Sequence, residues 1–339
     1  MVDFADHISF IRLGGMLFRL LFRVIFLIMN PSAKKLTWSA AIAKRLIEAS
    51  QGTRFRGMGG YSPEAFVARG QTNLFPQAKR ESSLYADFFD FFAKGELAES
   101  LNDRDVLDFG CGYGGRTVEY ARRGHARFVW GVEPIQTHID LAKQYASSQG
   151  IQNVDFRLCG QTEIPIPNNS VDVVVSYDVL EHVSSPPHSI SELFRVLRPG
   201  GVAYLVFPVY FGMRSHHLDY ITTFPGLHWI FSANSLVQAV NQILRDDRDM
   251  TRFGTREQPA AKLSFDNRRY VLPLLNGLSG RHLKSLFSKF ASIQIERHVV
   301  LRSKLGLRAV TRTISSPIFP MSVRDAVTDS VSCVLKKRD

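Results

Sequence analysis

The run Asp108-Phe109-Gly110-Cys111-Gly112-Tyr113-Gly114-Gly115 is suited to hold a ligand through its backbone. Gly110, Gly112 and Gly115 are spaced as GxGxxG, and Glu133 follows about twenty residues later, the distance at which an acid meets ribose hydroxyls. Glycines let the main chain approach a ligand closely. Dinucleotide sites share this pattern, so the glycines alone do not choose a ligand. Asp108, two residues before the first glycine, separates the readings. A carboxylate there organises the loop and faces a cationic group, whereas a pyrophosphate site aims a helix N-terminus at an anion. Two further motifs lie downstream: Tyr177-Asp178-Val179-Leu180-Glu181-His182-Val183 after a β-branched run, and the turn Leu197-Arg198-Pro199-Gly200-Gly201.

A second kind of chemistry is carried by histidine, the side chain that titrates near neutral pH. The segment from Pro208 to Trp229 is rich in aromatics and holds His216, His217 and His228. His216 or His217, with Asp219 to orient the ring, are the candidates for a general base acting on a hydroxyl. The His-His-x-Asp run could instead cap its loop or hold a metal, and His228 and Trp229 could be core residues of a lid. No resident metal is expected.

These residues need elements to position them. Val106–Phe109 reads as a strand entering the glycine turn, with a helix through Arg122. Phe128–Val132 and Val154–Leu158 read as strands flanking a helix over Ile139–Ser147. Val171–Ser176 is a continuous apolar strand, as expected for one covered on both faces. A helix from Pro187 to Leu197 and a strand over Val202–Phe207 follow, then a helix over Gly280–Phe290 and strands over Ser292–Leu301 and Ser330–Lys336. Strands alternating with helices predict a doubly wound, mostly parallel α/β sheet, so the ligand belongs beyond the carboxyl ends of the strands.

Taken in order, the DxGCGxG loop, the acid ending the second strand, the LEHV segment and the LRPGG turn resemble the class I S-adenosylmethionine-dependent methyltransferases, in particular the broad type-11 group. The resemblance runs from Asp105 to Val209. It implies a Rossmann-like sheet of seven strands, the last inserted antiparallel, and S-adenosyl-L-methionine as cofactor. By position, Asp108, Gly110 and Gly112 would cradle the methionine part, and Glu133 the ribose hydroxyls. Pro134 and Ile135 would flank the adenine, and Tyr177 and Asp178 would line the cofactor near the reacting centre. Gln161 stands where the family often has an aspartate on the adenine amino group. The implied activity is methyl transfer, with O-methylation of a saccharide, lipid-linked or secondary-metabolite acceptor as the leading reading. An N- or C-methyltransferase is the nearest variant; a nicotinamide-dependent oxidoreductase and a non-catalytic cofactor-binding accessory protein are the other classes.

The domain expectation is a basic helix over 1–30, a helical region over 31–100, and the methyltransferase domain over 101–339 with a lid at 208–280. Residues 10–29 are apolar but interrupted by Arg19 and Arg23. Two arginines at mid-helix cost about 2.5–3.5 kcal/mol each in a spanning segment. A helix lying in an anionic membrane interface, or packed on the domain or a partner chain, fits better. The 339-residue chain has a formal net charge of +11 concentrated in its flanks, since residues 61–240 hold 14 Lys/Arg against 19 acids. That favours an anionic surface or acceptor at the periphery. No zinc-finger spacing or RNA-binding signature appears, so nucleic acid is not an expected partner. Three widely separated cysteines suggest neither disulfides nor a zinc site, and a cytoplasmic protein, with or without membrane association, is expected.

Overall fold

The computed structural model describes residues 36–50, 75–92, 96–160, 163–218, 221–246, 257–299 and 320–339. The basic segment 1–30, Gln161 and Asp219 lie outside the described residues.

The sheet is built from β1 (Asp105–Phe109), β2 (Phe128–Glu133), β3 (Val154–Leu158), β4 (Val171–Tyr177), β5 (Leu197–Phe207), β8 (Ser292–Val299) and β9 (Thr328–Lys336), in the order β3-β2-β1-β4-β5-β9-β8. The first five run parallel, while β9 is antiparallel to both β5 and β8 between which it lies. Central β1 is buried along its length, so Val106 and Leu107 feed cores on opposite faces of the sheet. That two-sided burial is why the run carries no polar alternation. One expected boundary moves: β5 begins at Leu197 and includes the LRPGG turn, with Leu197 paired to Val171 across a register shift. Another shortens, because Gly280–Phe290 forms a 3-10 turn at Gly280–His282 and a four-residue helix at Leu283–Leu286.

Helices precede the sheet and close over it. α1 (Trp38–Ala49) is capped by Thr37, whose hydroxyl accepts the Ala40 N–H. It buries Ala43 and Ile47 in a core shared with Leu236, Val240 and Ile243 from a later helix spanning Ala233–Asp246. The segment after β5 therefore has a core of its own, to which α1 contributes. A two-stranded ribbon of β6 (Lys262–Leu263) and β7 (Tyr270–Val271), not anticipated from the sequence, belongs to the same region.

α2 (Pro76–Ser83) packs on the helix that follows the glycine turn, α5 (Gly115–Arg122); between them in sequence lie α3 (Tyr85–Phe89) and α4 (Glu96–Leu101). The approach of α2 is close enough that a Cβ on Gly115 would stand 2.0 Å from the Ala78 carbonyl oxygen. Glycine is required there by packing. Among the described residues no helix is long and apolar enough to cross a membrane.

Candidate functional site

Because β1, β2 and β4 are parallel, Phe109, Glu133 and Tyr177 end at one edge of the sheet, and a cavity of about 500 Å³ opens there. That volume is in the range of small-molecule and cofactor sites. The glycine turn forms one wall. Gly110 has φ +80°, and a Cβ on it would stand 2.3 Å from Val179, so the loop depends on the missing side chain.

Of the residues singled out in the sequence, Gly110, Gly112, Glu133, Pro134, Ile135, Tyr177 and Asp178 all line this cavity. Asp108 does not. It is buried behind the loop, where its carboxylate accepts the Thr117 hydroxyl at 2.6 Å, and burial pushes its pKa up to about 6. It organises the loop from the rear and does not face the cavity. Glu133 accepts the Gly112 N–H at 3.3 Å and lies 3.0 Å from His138 Nδ1. The His138 ring in turn packs on Tyr113, with centroids 4.2 Å apart. Ile135 presents an exposed apolar side chain at the same end.

The opposite end is built by β4. Asp178 is a non-glycine residue in the left-handed region, φ 55°, held there by its N–H bonding the Val206 carbonyl at 2.8 Å. Burial raises its pKa to about 6, opposed by the nearby Arg116 guanidinium. Arg116 lies over the Tyr177 ring at 4.3 Å, and its Nε is buried without a hydrogen bond. Among the described residues it is the only Lys or Arg lining the cavity, against Glu81, Glu133, Glu163, Asp178 and Glu192.

Sequence reasoning missed Glu81 and Arg116. Glu81 reaches from α2 to accept the Tyr113 N–H at 3.1 Å and the Gly115 N–H at 2.9 Å, taking up donors that the start of α5 leaves free. Burial raises its pKa to about 7, and the two backbone bonds oppose that rise. No short-range pattern points to a contact over more than thirty residues, whereas Arg116 directly follows the glycine motif.

The histidines divide. His216 is buried with both ring nitrogens engaged: Nδ1 accepts the Leu218 N–H at 3.0 Å and Nε2 lies 3.0 Å from the Phe224 carbonyl. Such a ring folds the loop and has no lone pair free to take a proton. His217 has φ 54°, and burial, helped by the neighbouring His182, lowers its pKa to about 3. Its surroundings therefore favour the neutral form of the ring. His182 lines the cavity, donates through Nδ1 to the Leu274 carbonyl at 2.6 Å, and has its pKa lowered chiefly by burial.

Residues 107–205 match the family model described as a methyltransferase domain. The chain is 40% identical over 109 residues, 31% of its length and 38% of the relative's, to a Mycolicibacterium smegmatis protein named "Probable S-adenosylmethionine-dependent methyltransferase". It is 34% identical over 121 residues, 34% of this chain and 32% of the other, to the sterol 24-C-methyltransferase of Gibberella zeae. It is 31% identical over 108 residues, 32% and 42% of the two chains, to the ubiquinone biosynthesis O-methyltransferase of Rhizobium leguminosarum bv. trifolii. The chain spans less than half the length of these relatives.

Proposed function

Since residues 107–205 belong to the class I S-adenosylmethionine-dependent methyltransferases of the type-11 group, we propose that this chain moves a methyl group from that cofactor to a hydroxyl of a saccharide, lipid-linked or secondary-metabolite acceptor. The observation that carries the reading is the charge of the cavity. Among the described residues its lining holds several carboxylates and one guanidinium, which suits a ligand bearing a sulfonium and an ammonium and opposes a pyrophosphate.

The residues present fit the cofactor. Glu133, next to the glycine turn, has carboxylate oxygens placed to accept from ribose hydroxyls, and Pro134 and Ile135 offer an apolar surface for the adenine. Arg116, with an unused buried N–H, would hold the carboxylate of the methionine part, and Asp178 its ammonium. Asp108 keeps the loop in shape through Thr117. When bound, the cofactor supplies an electrophilic methyl group, and the protein's task is to align the acceptor with it.

The acceptor would enter at the Asp178 and His182 end, where a cluster of His182, Glu181 and His217 can act on a hydroxyl either as a proton acceptor or as the holder of a cation. The relative named as a ubiquinone biosynthesis O-methyltransferase supports oxygen as the acceptor atom, and the sterol relative supports an apolar body to the acceptor. Residues 10–29 would bring the enzyme to an anionic membrane carrying such an acceptor. The test is incubation of the purified chain with methyl-labelled S-adenosylmethionine and fractionated cell extract. Label in an alkali-stable methyl ether is the expected result, and label only on carbon or nitrogen would refute the choice of oxygen.

A further inference from the structure

Glu181, His182 and His217 each offer one atom that could ligate a metal, and these three atoms lie within 4.8 Å of one another. His182 Nε2 stands 3.5 Å from Glu181 Oε1, and the His182 and His217 rings meet edge to face with centroids 4.9 Å apart. The Leu274 carbonyl fixes the proton of His182 on Nδ1 and so leaves a lone pair on Nε2. Ligating histidines are held in this way, the second nitrogen donating to a carbonyl or carboxylate.

Glu181 supplies the independent observation. It is 3% exposed, and neither carboxylate oxygen has a hydrogen-bond partner. Burying a carboxylate without donors is costly, and the cost is relieved by a proton or by a cation. The polar neighbours recorded for it are its own backbone N–H and the His182 imidazole 3.5 Å away. Asp178 is the neighbouring acid, and Lys262 is the cation that influences His182.

We propose that Glu181, His182 and His217 bind one divalent transition-metal ion of the zinc type, at the acceptor end of the cavity. Two imidazoles and one carboxylate suit zinc and its first-row neighbours, while magnesium and calcium prefer all-oxygen sets. Three protein ligands leave a coordination position for a further oxygen, as in catalytic zinc sites. Of the three ligands His182 alone lies in the cavity wall, and on its side the open position would take an acceptor hydroxyl entering from the cavity. Coordination lowers the pKa of a bound hydroxyl, whose proton passes to solvent and leaves an alkoxide on the metal. This departs from the expectation, drawn from the sequence, that no metal resides here. The role given to the ion rests on the methyl-transfer reading above; the binding of the ion does not.

The experiment is calorimetric titration of the metal-stripped full-length chain with Zn²⁺, Co²⁺ and Mg²⁺, in parallel with S-adenosylhomocysteine. One equivalent of Zn²⁺ and of Co²⁺ should bind, with Mg²⁺ far weaker, and bound Co²⁺ should show visible absorption. His182→Ala and Glu181→Gln should each weaken Zn²⁺ binding at least about a hundredfold, beyond what loss of a supporting contact costs. His217→Asn, which suits the left-handed backbone, should do the same, and circular dichroism will show that each variant is folded. Binding of S-adenosylhomocysteine without stoichiometric binding of any of the three ions would overturn the metal site and leave the proposed function standing. Zn²⁺ affinity unchanged in all three folded variants would overturn it equally.

Discussion

The two ends of the parallel sheet hold carboxylates in opposite states. At the amino ends of the strands, Asp105 and Asp172 are tied to Arg127 and Arg198, with contacts from 2.5 to 3.5 Å among them. The hydrogen bond from Arg127 holds the Asp105 carboxyl below its ordinary pKa. At the carboxyl ends, Glu181 is buried and Asp178 lines the open cavity; among the described residues no arginine or lysine is bonded to either, and desolvation raises both. The first set is a half-exposed ion-pair network of modest worth. The second is a cost that folding alone does not explain. One acid in a cleft with no bonded cation and one buried acid left unpaired beside it mark where a ligand is expected.

The largest effect that would break this contrast is on turnover. His182→Ala should lower kcat at least about a hundredfold, the size of lost proton handling at an acceptor hydroxyl, while affinity for S-adenosylhomocysteine stays within about threefold. Near-normal kcat in that variant would detach the cluster from catalysis. Arg198→Ala at the other end should leave kcat unchanged and cost roughly 1 kcal/mol or less of stability by chemical denaturation.

Next in size is Gly115→Ala. The added methyl would stand 2.0 Å from the Ala78 carbonyl, so α2 must shift, and overpacking of that kind costs about 1–3 kcal/mol. A melting temperature equal to that of the parent would show that α2 is not seated as described.

Glu81 allows a sharper test through pH. Its folded pKa, raised from 4.5 to about 7, means that the folded state holds its proton more tightly than the unfolded chain. Its contribution to stability is present below pH 4.5 and is lost as pH rises through about 7. Glu81→Gln should therefore flatten the decline in melting temperature across that window, and an unaltered profile would place the decline on other groups. The smallest effect concerns residues 1–30. Their deletion should reduce flotation with anionic vesicles, as added salt should in the parent.

What was legible in the sequence follows the same division. The glycine turn, Glu133 and the β4 strand are local patterns, and each stretch of chain carries its own information. Strand order beyond β5 became readable only through the family resemblance, because antiparallel insertion of β9 has no local signature. At the His182 end of the cavity local pattern misled. His216 and His217 stand side by side in sequence, yet one is tied to backbone on both nitrogens and the other faces His182 from another element. Glu181 looked like part of a β4 motif, and only packing reveals it as an acid without a donor.

The central claim is that the acid-lined cavity at the carboxyl ends of β1, β2 and β4 holds S-adenosylmethionine, and calorimetry with S-adenosylhomocysteine and with NAD tests it most directly. One equivalent of S-adenosylhomocysteine should bind, NAD should not, and Glu133→Ala should weaken binding by about 1.5–3 kcal/mol, the loss of a hydrogen bond to a charged group. Binding of NAD in place of S-adenosylhomocysteine would contradict the account.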